Sequence, residues 1–139
     1  MELMIVVVVA ALMAVVGVPS YKAFADRAKV AVAIADIGTI SGMLYRWQLA
    51  TRAFPDTLAA AGLDGRIDPW GQPYHYLKIE GATTGQVRRD RNLRPINTDF
   101  DLYSAGPDGE TQTQLQGSKA QDDIVRANDG RFIGIASDY

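Results

Sequence analysis

The 139-residue sequence has no cysteine, a single histidine (His75) and no excess of basic charge. Without cysteine there is no disulfide, no thiol nucleophile and no Cys-ligated zinc, and the redox compartment stays open. One histidine excludes multi-His metal sites and makes any catalytic triad depend on His75 alone. Fourteen basic against 16 acidic residues, net charge −2, give no electrostatic footprint for nucleic acid. The length suits one domain plus a hydrophobic segment, and a two-domain enzyme is disfavoured.

What is present begins at once, with MELMIVVVVAALMAVVGVPSY. From Leu3 to Val18 no residue is charged, a run short for a comfortable membrane span and long for a surface helix. A secretory signal would carry a basic region before the run and small residues after it. Here Glu2 comes first and Val18-Pro19-Ser20-Tyr21 follows. A second helical pattern begins after Pro19, with Val30, Ile34, Ile37, Ile40, Leu44 and Trp47 on one face. Lys22, Asp26, Arg27, Lys29, Asp36, Thr39 and Arg46 lie opposite, facing water. One helix to about Thr51 would be about 75 Å long, and Pro19 is expected to kink or loosen it by removing a backbone hydrogen bond.

Ala53-Phe54-Pro55-Asp56 ends the helix, and Asp56 is expected to cap a short turn over Leu58–Leu63, closed by Gly62 and Gly65. Tyr74–Ile79 and Phe100–Ser104 read as strands, and Gly81–Asn97, with the basic run RRDRNLR, as a solvated loop. Thr111–Gln121 has no period. Ile124–Ala127 and Arg131–Ile135 flank Asn128-Asp129-Gly130, a hairpin signal. A helix followed by strands predicts an α+β domain with a small antiparallel sheet on the amphipathic half-helix. Trp70, Tyr74 and Tyr76 are expected to cover the helix face beside Leu44 and Trp47 rather than form a stacking platform. His75, Asp68 and Ser104 lack the nucleophile elbow and oxyanion glycines of a hydrolase, and no enzymatic activity is expected.

Three stretches in order carry a resemblance. Met1-Glu2-Leu3-Met4-Ile5-Val6-Val7-Val8, with Pro19 and Tyr21 behind it, resembles a mature pilin start. Asp68-Pro69-Trp70-Gly71-Gln72-Pro73-Tyr74 resembles the DPWGxPY segment of pseudopilins. Asp101–Gly109, followed by Asp122-Asp123-Ile124, resembles that family's calcium-binding loop. Together they make the chain similar to the type IV pilin-like proteins, most of all the major pseudopilin of type II secretion systems. The family's basic leader, cleavage glycine and Phe-Thr-Leu start are not in the sequence. We therefore expect the sequence to begin inside the mature protein, or its start to have been assigned late.

The resemblance implies a pilin-like fold, with residues 1–24 as the membrane and filament-core part of the helix and 25–139 as a periplasmic domain. It implies a structural subunit that sits in the inner membrane and then polymerises into a periplasmic pseudopilus driving protein export. Glu2 and Pro19 become subunit-contact residues, Glu2 pairing with the amino terminus of the adjacent copy. Implied partners are a prepilin peptidase that cleaves and methylates, the inner-membrane assembly platform, minor pseudopilins and further copies of the chain. A structural Ca²⁺ would be held by the Ala105 carbonyl, Asp108, Asp122 and Asp123. The alternatives are a type IV pilus subunit for adhesion, motility or DNA uptake, and a membrane-tethered periplasmic binding module that never polymerises.

Overall fold

The structure, a computed structural model, describes the backbone of residues 2–92 and 94–139 and the side chains of residues 4–13, 21–92 and 94–139. Helix α1 spans Glu2–Thr51, followed by strands β1 (His75–Lys78), β2 (Phe100–Ser104), β3 (Ile124–Ala127) and β4 (Phe132–Ile135). The strands form one antiparallel sheet in the order β1-β2-β3-β4, the α+β layout expected from the sequence and consistent with a pilin-like fold. Register follows from pairs such as Tyr76 with Leu102 and Arg126 with Ile133.

The helix meets the sheet only with its C-terminal half. Ala33, Ile37, Ile40 and Leu44 are fully buried against Phe100, Leu102 and Ile124, and Val30, Ile34 and Met43 pack at the edges. These positions recur every three or four residues, so they form one stripe. Each buried Ile or Leu contributes about 1.5–3 kcal/mol through burial. Tyr74 joins this core, with Trp70 and Tyr76 against it, while Trp47 stays half-buried. Asp36 was expected to face water, yet it accepts a hydrogen bond from the Tyr74 hydroxyl at 2.9 Å, tying the helix to the segment before β1.

The helix ends at Thr51, and Arg52 takes the left-handed conformation that a glycine usually occupies there (φ 66). The following short turn, Ala59–Ala61, closes on Gly62 at φ 68 as expected. Its cap differs from expectation. Thr57 Oγ1, not Asp56, accepts the Ala60 N–H at 3.2 Å; the exposed Asp56 carboxylate meets Lys78 at 3.2 Å. Between β3 and β4, Asn128, Asp129 and Gly130 all have positive φ (52, 54 and 89), the left-handed geometry that matches a hairpin's twist.

The sheet's other face is covered too. Ile96, Leu115, Val125, Ala127 and Ala136 make a second core, with Tyr103 and Phe132 beside it. Every residue of β3 is buried, so its sequence does not alternate as a strand with one wet face would. The loops at 81–97 and 111–121 supply this cover.

Near the N-terminus, the helical stretch Tyr21–Thr51 is long and apolar enough to cross a membrane by length and composition, and Met4–Met13 is a shorter apolar stretch. From Val30 onward the apolar face of Tyr21–Thr51 is used on the sheet.

Candidate functional site

Three groups of residues were singled out from the sequence, and the structure treats them differently. Glu2 and Pro19 lie in the continuous helix α1, but their side chains are outside the described residues. What is described around them is an apolar rod. Met4, Ile5, Val6, Val7, Val8, Val9, Leu12 and Met13 are all exposed, from 46% at Val9 to 78% at Met4. They surround the helix instead of lining one face. Tyr21, Phe24 and Val32 continue the exposed apolar surface toward the domain.

The second group is the expected ion site. Gly106 and Gly109, at φ 67 and 69, bend the turn after β2 back against the chain leading into β3. A Cβ on Gly106 would collide with the Asp122 carbonyl, so only glycine permits this approach. Asp122 Oδ2 accepts the Asp108 N–H at 3.4 Å, and Asp108 Oδ1 accepts the Glu110 N–H at 2.8 Å. Ala105 is buried at the start of the same turn. Asp108 and Asp122 are thus brought together.

Asp123 is taken elsewhere. Its fully buried carboxylate accepts hydrogen bonds from the Arg88 guanidinium and from Thr111 Oγ1 at 2.6 Å. Asp122 sits in the turn that precedes β3 and faces Asp108, whereas Asp123 faces Arg88 and Thr111, so the two carboxylates have different surroundings. Burial pushes the Asp123 carboxyl up to about 6, against the pull of Arg88 and Thr111. No cluster of three acidic or histidine side chains suited to a metal ion occurs among the described residues. The donors at the turn are two carboxylates and backbone carbonyls, a thin set for a hard cation that takes six to eight oxygens.

Arg88 itself corrects an expectation. Read as part of a solvated basic run, it is only 2% exposed. Its N–H donates to Asp101 Oδ2 at 2.7 Å, and its guanidinium lies 3.7 Å from the Tyr103 ring centre. Asp101 is held from the other side by the Asn97 amide at 2.9 Å. Arg126 makes a second buried cation centre: it forks onto both oxygens of Asp99 at 2.8 and 2.6 Å and reaches the Tyr45 hydroxyl at 2.8 Å. The guanidinium also stacks 4.0 Å over the Phe100 ring. Burial works to raise the Asp99 pKa, but the Arg126 and Tyr45 hydrogen bonds outweigh it and the net shift is downward.

The third group, His75, Asp68 and Ser104, does not assemble as a triad. Ser104 donates directly to Asp68, whose other oxygen accepts the Trp70 and Gln72 N–H groups at 3.0 and 2.8 Å. Asp68 therefore organises the DPWGQP turn from inside. His75 instead stacks on Tyr103, ring centres 4.9 Å apart. Burial and the nearby Arg88 charge lower its pKa, with Asp68 opposing.

Sequence reasoning missed both buried arginines. Arg126 stands inside the apolar stretch Ile124–Ala127, a position where a charge needs a partner, and Asn97, Asp99 and Asp101 alternate along the chain toward it. That pattern was a usable signal. Comparison with protein-family models, with curated proteins and with solved structures returned no match.

Proposed function

We propose that this chain is the structural subunit of a filament of the pseudopilus kind. The N-terminal half of α1 anchors it in the inner membrane before assembly and forms the filament core afterwards. The observation that carries this reading is the apolar rod. Met4–Met13 is apolar on all sides and projects free of the domain, and a helix hydrophobic all round requires lipid or other helices around it. Lipid and a bundle of identical helices both satisfy that requirement, so one surface serves the stored and the assembled subunit.

Glu2 gives the reading its selectivity. A carboxylate in apolar surroundings costs a few kcal/mol unless a cation relieves it, and the amino terminus of an adjacent copy is the cation the pseudopilin resemblance supplies. The same resemblance supplies the remaining partners: a prepilin peptidase that cleaves and methylates, an inner-membrane assembly platform and minor pseudopilins, with residues 25–139 in the periplasm. A Ca²⁺ ion, in this reading, has its seat at Asp108, Asp122 and the Ala105 carbonyl, where it fastens the turn after β2 to the start of β3.

The test is electron microscopy of the sheared fraction from cells making the full precursor with its assembly machinery, wild type beside Glu2→Ala. Filaments in wild type only are the expected result. If neither forms filaments while both stay folded in the membrane, the chain is a tethered module instead. One feature favours that second reading: a polar cleft of about 820 Å³ lined by Asp90, Asn92, Gln116, Gln121 and Tyr139, where ligand screening would begin.

A further inference from the structure

We propose that Arg88 is the resident cation of the loop at 111–123, so that Asp123 takes no part in holding a divalent ion and the loop stays on the sheet without metal. The Arg88 and Asp123 side chains are 3% and 0% exposed and form an ion pair. Removing either partner leaves the other as an uncompensated buried charge, which is far costlier than losing a surface pair.

The pair is also the junction of several segments. Besides Asp123, the Arg88 guanidinium contacts the Thr111 hydroxyl and the Gln112 carbonyl, the latter at 3.3 Å. Its backbone neighbour continues the join: Arg89 N–H donates to the Thr113 carbonyl at 2.8 Å, and Leu115 N–H donates to the Arg89 carbonyl at 3.1 Å. Leu115, a member of the second core, is thus tied to the 88–89 segment. This is the work a structural ion would otherwise do, and here a guanidinium does it.

Asp123 Oδ1 is buried without a hydrogen-bond partner, and it is the atom an ion would have to use. It shares one negative charge with Oδ2, which Arg88 already neutralises. A divalent cation placed there would face the guanidinium at short range in a poorly screened interior. Among the described residues no buried guanidinium pairs with Asp108 or Asp122, and the nearby Lys119 is engaged by Glu110 at the surface. The inference narrows the ion seat proposed above and stands without it.

The experiment uses the full chain in detergent micelles, melted in millimolar calcium and in chelator, with calcium binding followed by calorimetry. Asp123→Asn should lower the Tm by about 10 °C, equally in both conditions, and leave any calcium affinity unchanged within about twofold. Should that variant fail to fold, Thr111→Val replaces it, with a smaller loss that is again equal in both. In wild type, the Leu115 and Ala120 amides should stay protected from hydrogen exchange in chelator. If calcium has no effect on wild type at all, the inference holds and the seat at Asp108 and Asp122 falls. An Asp123→Asn variant whose calcium affinity drops tenfold or more would overturn it, as would loop amides that exchange freely once calcium is removed.

Discussion

The two halves of α1 share one backbone and have opposite surroundings. Val7 is 66% exposed and Ile40 fully buried, although both are β-branched aliphatic residues of similar helix propensity. The C-terminal half carries polar residues between its apolar ones, so it has a wet side and a dry side, and the sheet takes the dry side. Met4–Met13, the described part of the N-terminal half before Tyr21, has no wet side, and its large apolar side chains are exposed. Hydrophobicity by itself therefore does not predict burial within a subunit. Its arrangement around the helix decides whether the partner is intramolecular or must come from outside.

The comparison breaks hardest at the anchor that fixes the C-terminal half. Arg126→Met leaves the partly buried Asp99 without its cation and should cost about 3 kcal/mol, read as a large fall in Tm. Ile40→Ala should cost about 2–5 kcal/mol by leaving a cavity, whereas Val7→Ala should change the stability of the isolated subunit by under about 0.5 kcal/mol. Equal losses from those two substitutions would remove the distinction between the halves. Tyr45→Phe, which deletes one hydroxyl between Arg126 and Asp99, should cost about 1 kcal/mol in the same melt.

Acid sharpens the same contrast. The folded pKa of Asp99 is depressed, so its contribution is complete above the ordinary carboxylate value of 3.8 and is lost as pH falls through the lower folded value. A pH series of melts should show that acid loss shrink in Asp99→Asn. A small gain is expected at the helix end. Arg52→Gly relieves a left-handed residue and should stabilise by about 0.5–1 kcal/mol, provided the added chain entropy does not offset it.

The elements that sequence reasoning placed well are those with local causes. The stripe from Val30 to Leu44 follows helical spacing. The strands Phe100–Ser104 and Ile124–Ala127 are bounded by turn formers, and Asn128-Asp129-Gly130 carries its left-handed geometry in its composition. The cap fell one residue later than expected, on Thr57 rather than Asp56, since both residue types cap and the sequence does not choose between neighbours. Arg88 was read as solvated because Asp123, which buries it, lies on another loop, and a basic run gives no sign of which member turns inward. The second core escaped notice because Leu115 sits in a stretch rich in Gln, Thr and Gly without period, and only the folded sheet reveals what it covers. Of the candidate ion site, the turn glycines and Asp108 were legible; the divergence of Asp122 and Asp123 was not, because it depends on Arg88, distant in sequence, engaging Asp123.

The most direct test of the division of labour within α1 is to count filaments by electron microscopy in the sheared fraction from cells assembling Val7→Asn, with the Tm of the purified subunit read in parallel. The account predicts a Tm indistinguishable from wild type together with few or no filaments. Filaments at wild-type abundance, or a Tm that falls with them, would contradict it.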